Sequence, residues 1–445
     1  MKKIFHFYQS LFFSNRFFLI WAVLLLLLFL GYWFPFSFLL GKFLFIAFLI
    51  LTLGDLIYIT TSGKLIASRP LPDKFSNGDP NPVNFHIHNH YPLTTYVQII
   101  DEIPPQFQKR DFHLRMKLAR GEHRAHTYYL KPVKRGIYNF GKLHLFASSP
   151  LGLIKWKSSF EKEKEVKVYP AFIQMKKYEL IALTKQRGGG LKKIRRLGHS
   201  MEFEQIKIYT KGDDYRTINW KATAKHNRLM VNQYQDQTSQ NVYSIIDMGR
   251  TMKMPFHQMT LLDYAINSTL SFSNIVLKKH DKAGLLAFEQ NINAFIKPDQ
   301  KKAHLHKIFE SLYHLKTGFK ETDYEKLFNF INYNITNRSL LMLYTNFEHF
   351  SSFRRQLPFL KKLAKKHLLV VIIFENTELN ELLEAPITGT SALYSKIIAE
   401  DFLRQKKRMI KEMKLYNIHA VLTPPEDLTI QTINKYLELK KRGLI

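Results

Sequence analysis

Val242-Tyr243-Ser244-Ile245-Ile246-Asp247-Met248-Gly249-Arg250-Thr251 opens on a short apolar run that ends in a carboxylate and a glycine turn. A run of that length, bounded by turn residues, is what a strand buried on both faces requires. Four more such runs follow, at residues 283–288, 340–344, 368–374 and 418–422. Between them Leu262, Ile266, Leu270 and Val276, and then Leu327, Phe328, Ile331 and Ile335, recur at near-helical spacing. The alternation predicts a doubly wound α/β domain with a largely parallel sheet over residues 241–445. In such sheets ligands bind beyond the C-terminal strand ends, which is where Asp247 and Thr251 fall. Their oxygens, with those of Thr322 and Asn346 after later segments, could hold a hard cation such as Mg²⁺. The plainer alternative is that Asp247 caps the next turn.

Upstream the periodicity changes. Val83, Phe85 and Ile87 alternate with Asn84, His86 and His88, and Phe112, Leu114, Met116 and Leu118 alternate with polar neighbours. Turn clusters such as Asn77-Gly78-Asp79-Pro80 and Ile103-Pro104-Pro105 punctuate these runs, so residues 63–170 read as an all-β sandwich. Residues 171–240 read as a linker, with Gly188, Gly189 and Gly190 as a hinge and Lys192, Lys193, Arg195 and Arg196 as a basic run. At the other end, residues 17–34 are uncharged and apolar, Pro35 breaks the run, and a second apolar run over residues 36–53 carries only Lys42. That predicts a membrane anchor over residues 1–62 made of two transmembrane helices, at about 17–34 and 36–59. Lys2, Lys3 and Arg16 before the hairpin and Lys64 and Arg69 after it place both flanks, and the soluble domains, on the cytoplasmic side.

Composition narrows the chemistry. The 445 residues contain no Cys, which excludes disulfides, zinc–thiolate sites and cysteine nucleophiles. Lys plus Arg total 66 against 36 Asp plus Glu, a formal charge of +30 that favours nucleic acid, anionic lipid or acidic proteins as partners. No Gly-x-Ser-x-Gly elbow or His-Glu-x-x-His helix occurs. Residues 136–143 have the spacing of a phosphate loop up to Lys142, but they lack its closing hydroxyl and lie in strand sequence. His86, His88 and His90 alternate on one strand face and read as solvated.

The densest cluster of charge and aromaticity is Tyr209-Thr210-Lys211-Gly212-Asp213-Asp214-Tyr215-Arg216-Thr217-Ile218-Asn219-Trp220-Lys221. Arg216 is placed to answer one of the two carboxylates. A structural clamp follows, with Arg216 on Asp213 or Asp214, Trp220 in an apolar seam, and residues 221–228 accessible; an acid–base pair is the alternative. Continued to Ala224, the segment resembles the signature of the bacterial family catalogued as domain of unknown function 58. Arg135-Gly136-Ile137-Tyr138, Ser149-Pro150-Leu151-Gly152-Leu153, Val168-Tyr169-Pro170 and Tyr436-Leu437-Glu438-Leu439-Lys440 are similar to that family as well.

The resemblance implies a von Willebrand factor A-like (Rossmann-like) α/β domain, a membrane-anchored sandwich, and association with AAA+ ATPases of the MoxR type or with other von Willebrand A-like membrane proteins. It implies no established enzymatic activity, hence a non-catalytic adaptor in which Gly212, Asp213, Asp214, Arg216, Trp220 and Lys221 are structural or partner-docking residues. Its Asp-x-Ser-x-Ser metal pattern maps imperfectly onto Asp247, Gly249 and Thr251. Gly249 lacks a side-chain oxygen, and Asn346 offers a neutral carbonyl where a carboxylate is usual. The alternative function, a nucleic-acid-binding membrane protein, rests on the basic residues at 192–196 and 404–414.

Overall fold

The computed structural model describes residues 7–109, 112–160, 163–184, 201–211, 213–236, 239–384 and 389–445. Gly212, the Gly188–Gly190 hinge and the basic run at 192–196 lie outside them. The chain divides into two compact units, Met1–Tyr169 and Pro170–Ile445.

In the first unit, helices Asn15–Leu30 and Pro35–Thr61 pack side by side. Pro35 lacks an N–H and so starts the second helix at no hydrogen-bonding cost. A Cβ on Gly41 would stand 2.8 Å from Leu28 Cδ2, so glycine is what permits the close approach. Pro35–Thr61 is long and apolar enough to cross a membrane, whereas Asn15–Leu30 is shorter at 16 residues. Large side chains along both helices stay uncovered, with Phe43 73% exposed, which is the pattern of an interaction surface rather than of a soluble helix.

Both ends of the helix pair are fastened to the same domain. The strand Leu11–Phe13, just before the first helix, pairs with Ile154–Phe160. Ser14 caps that helix, donates its hydroxyl to Gly152 O at 2.6 Å, and gives its N–H to Leu153 O at 3.0 Å. On the second helix the buried Asp55 accepts from the N–H groups of Leu153 and Ile154 at 3.1 and 3.0 Å, and Tyr91 donates to Ile59 O at 2.9 Å. The Ser149–Leu153 turn is therefore a socket. Gly152 fits it because its φ of +65° falls in the left-handed region.

The rest of this unit is rich in sheet. One sheet orders Leu11–Phe13, Ile154–Phe160, Leu143–Ser148, Thr95–Asp101 and His113–Leu118. Two three-stranded sheets, one centred on Lys164–Tyr169 and one on Asn81–Asn89, complete it. Inward-facing Val83, Phe85, Ile99, Phe140, Leu145 and Val168 from all three sheets share one core. Within it Arg69 forms an ion pair with Asp101, which also accepts from the Tyr128 hydroxyl.

The second unit is a mixed α/β domain. Its sheet orders Ile292–Asp299, Lys282–Phe288, Asn241–Asp247, Leu340–Thr345, Leu368–Phe374 and His419–Thr423. Every pairing is parallel except that of the Ile292–Asp299 edge, which the sequence pattern does not reveal. Val242 and Ile246 face a core built with Leu270 and Tyr436, and Tyr243 and Ile245 face one built with Phe353 and Met409, so burial on both faces explains the unbroken apolar runs. The order reverses between Asn241–Asp247 and Leu340–Thr345, whose C-terminal ends define the crevice of the sheet.

The described part of residues 171–240 is not a plain linker. Helix Phe172–Thr184 lays Phe172, Met175 and Tyr178 on the α/β core, Glu179 pairs with Lys278 at 2.8 Å, and the Ala171 N–H donates to Asn267. Apolar side chains at near-helical spacing, hidden among lysines, drive that docking.

The socket yields a prediction. Replacing Asp55 with Ala leaves two buried amides without an acceptor, at about 1–3 kcal/mol each. Asp55→Ala should therefore lower the Tm of the detergent-solubilised chain, while Ser37→Ala, whose hydroxyl serves Phe34 O at the exposed turn, should not. Equal melting of the two variants would mean that the socket is not a stabilising joint.

Candidate functional site

Asp247 closes the strand Asn241–Asp247 at the crevice and is 2% exposed. Its Oδ1 accepts the Gly249 N–H and the Thr322 hydroxyl, both at 2.8 Å. Its Oδ2 accepts the Thr345 hydroxyl at 2.7 Å and lies 3.2 Å from the Tyr324 hydroxyl, which in turn stands 2.7 Å from Thr345 Oγ1. Burial pushes the Asp247 carboxyl upward from its ordinary range, and the four donors pull the other way. Burial and the facing carboxylate hold the Tyr324 phenol well above its usual value, so it stays a donor.

Neighbouring elements place those donors. The Glu289 carboxylate accepts the Gly318 and Lys320 N–H groups at 2.9 and 3.1 Å, the Arg250 N–H donates to Lys320 O, and Thr322 is thereby set against Asp247. Asp323 caps the helix Tyr324–Asn334 and points its first residue at the carboxylate.

The candidate cation ligands are not arranged around a common point. A Cβ on Gly249 would stand 2.0 Å from Thr322 Oγ1, so the Thr322 hydroxyl occupies the space a serine would need. Thr251 lies in the turn Arg250–Lys253, and none of the bonds to Asp247 comes from it. Asn346 turns its Oδ1 to the Lys406 ammonium at 2.5 Å. A hard cation needs most of its oxygens free for it; here protein hydrogens already take the oxygens of Asp247, so the set does not fit Mg²⁺.

The signature segment forms a separate device. Strands Met201–Ile208 and Met230–Asp236 pair as an antiparallel hairpin, with the helix Trp220–His226 in the connection. Asp213 accepts from Lys207 Nζ at 2.7 Å and from the Thr210 N–H and hydroxyl at 2.9 and 2.8 Å. These bonds, the lysine's first, hold its carboxyl down to about 2. Asp214 caps the short turn Tyr215–Thr217 by accepting the Arg216 N–H. Asn219 caps the helix through Ala222 and donates to Asn232, and Thr223 accepts the Met230 N–H.

The expected clamp is therefore corrected. Lys207, one turn away on the adjoining strand, takes the carboxylate that Arg216 was placed to answer, and capping takes the other. The Arg216 guanidinium instead lies 5.7 Å from the Tyr215 ring centroid. Trp220 fills no seam: it is 71% exposed and Tyr215 is 68% exposed, with Lys221, Lys225 and Arg228 exposed nearby. Lys207, Tyr324, Thr345 and Lys406 are the residues that sequence reasoning missed. Hydroxyls and lysines are too common in this chain to stand out without the fold.

Comparison with known proteins agrees with the signature. Residues 205–396 match the family described as protein of unknown function DUF58. The uncharacterised protein YeaD of Bacillus subtilis (strain 168) is 26% identical over 181 residues, 40% of this chain. The chain spans 43% of the length of that relative. Both findings support the family of unknown function. Among solved structures, the conserved hypothetical protein BatB from Bacteroides thetaiotaomicron is similar over 45% of this chain and 100% of its own, at 13% identity and a TM-score of 0.31. The seventh PapD-like domain of human CEP192 covers 25% of this chain and 88% of its own, at 10% identity and a TM-score of 0.19. With scores this low, the fold rests on the chain's own strands and helices.

Two outcomes test the site. Asp247→Ala should cost about 3 kcal/mol through orphaned donors, and added Mg²⁺ should leave the Tm of the unsubstituted chain unmoved; a rise in Tm that Asp247→Ala abolishes would restore the cation site. For the hairpin, a folded carboxyl pKa near 2 lies below the unfolded value of about 3.9. The contribution of Asp213 is therefore complete above about pH 4 and lost as pH falls through 2. In Lys207→Met the Asp213 carboxyl, followed by NMR, should titrate at higher pH; an unchanged midpoint would remove the lysine from the loop.

Proposed function

We propose that the chain is a membrane-anchored, non-catalytic adaptor whose von Willebrand factor A-like domain docks a protein partner, with an AAA+ ATPase of the MoxR type as that partner. The observation that carries this reading is the exposure of Trp220 and Tyr215 on a connection whose Asp213, Asp214 and Asn219 side chains are consumed in folding it. Trp, Tyr and Arg dominate the energetics of protein interfaces, and here Trp220, Tyr215 and Arg216 are exposed on one connection, as are Lys221, Lys225 and Arg228. Such a surface suits an acidic partner, which charge attraction would steer toward it. The ATPase itself follows from the family resemblance.

The helices Asn15–Leu30 and Pro35–Thr61 serve in this reading as a transmembrane hairpin. Both of its ends reach one sheet-rich domain, which supports a single side for the N-terminal strand and the soluble units, and the basic flanks favour the cytoplasm.

The test is affinity capture of the tagged full chain from detergent-solubilised membranes, with mass spectrometry. An AAA+ ATPase should be recovered with the unsubstituted chain and lost with Tyr215→Ala/Trp220→Ala, at unchanged Tm because neither ring is buried. Recovery that survives the double substitution would overturn the docking surface, and a large fall in Tm would return the two rings to a structural role.

A further inference from the structure

At the crevice end of the same sheet, a cleft of about 300 Å³ opens beyond the strands Leu340–Thr345 and Leu368–Phe374, beside the helix Thr390–Leu415. Its walls are apolar, chiefly Met254, Phe256, Leu261, Phe374, Phe402 and Leu403. Lys406 enters this lining from the helix, flanked by Phe402 and Leu403 one turn before it. An ammonium has three N–H donors, and the bond described for this one is to the neutral Asn346 Oδ1. Among the described residues no carboxylate pairs with it at ion-pair distance.

A cation held in apolar surroundings without a counter-ion is costly. Burial holds the Lys406 ammonium down to about 8, opposed by the more distant Glu348. The same desolvation strengthens any bond to an anion that enters. We infer that the cleft is a binding site for a small monocarboxylic acid with an apolar body, whose carboxylate takes the free N–H donors of Lys406 and whose body lies against Phe256, Phe374 and Phe402.

The polar rim sets the specificity. Glu348 and His349 come from the loop after Leu340–Thr345, and Glu375 and Asn376 from the loop after Leu368–Phe374. Two acidic groups on the rim disfavour a dianion, and a single amine lacks the paired donors that phosphate recognition uses. One carboxylate with an aromatic or branched body meets both limits, and the volume lies at the small end of ligand sites. This site is independent of the exposed hairpin and of the Asp247 network.

The test is calorimetry on the full chain in detergent, with micelle-only blanks, using 4-phenylbutyrate as the probe and 4-phenylbutan-1-ol as its neutral counterpart. The acid should bind about tenfold more tightly than the alcohol at pH 7, which is the scale of one charge-assisted hydrogen bond. Lys406→Gln should erase that difference while leaving alcohol binding in place, which also shows that the variant is folded. Acid affinity should fall as pH rises through 8, while alcohol affinity holds. Phe402→Ala should weaken both probes. Equal binding of the two probes, undiminished acid binding in Lys406→Gln, or binding of neither probe would overturn the inference.

Discussion

A carboxylate taken out of water must be given hydrogen-bond donors in return, and at Asp247 that requirement gathers the crevice end of the α/β sheet. Its donors come from three places: the turn after its own strand, the segment Thr322–Tyr324, and the end of the neighbouring strand at Thr345. The loop carrying Thr322, held by Glu289, and the end of the neighbouring strand meet at this carboxylate, and the next residue after Thr345, Asn346, meets Lys406. The closed network and the open cleft lie at the same end of the sheet, joined in sequence by Thr345 and Asn346.

The same device recurs in the sheet-rich unit. Asp55 holds the Ser149–Leu153 turn to the second apolar helix, and Asp101 takes Arg69 and Tyr128 in the core. In the α/β unit Asp281 does so with Tyr436 and Lys440 of the C-terminal helix. In a chain with 36 acidic residues against 66 basic ones, the acids placed inside act as joints between elements. Many of the cations are left outside, where they set the field that a partner meets. Removing one member of such a buried pair leaves the other uncompensated, so these joints are expensive to break even where their net stabilisation is small.

How far the sequence could be read follows the range of the forces involved. The five parallel strands are legible because two-sided burial writes itself as an unbroken apolar run. The edge strand Ile292–Asp299 is not, because it is half-buried and carries Lys297 and Pro298 near its end. The helix Phe172–Thr184 hides its three anchoring side chains among polar neighbours. At the candidate site, Asp247 is identifiable by its place after a strand, yet its partners depend on which loops the topology brings together. Likewise the density of Asp213, Asp214 and Arg216 marks the signature segment, but the assignment of partners does not follow from proximity in sequence. Lys207 sits six residues before Asp213 and becomes its neighbour once the hairpin forms.

That exchange of partners changes what the segment is for. Had Arg216 paired with a carboxylate and Trp220 been buried, the signature would have been an internal fastening with nothing to offer another molecule. With Lys207, Asn219 and Thr223 bearing the folding load, and with Asn227 ending the helix in the left-handed conformation at a φ of 52°, the connection is held by short-range bonds at several points. An aromatic ring with two torsions on such a support loses little freedom when it is covered. The cost of keeping Trp220 and Tyr215 in water is met before any partner arrives, and what remains on the surface is the part of the segment that folding did not need.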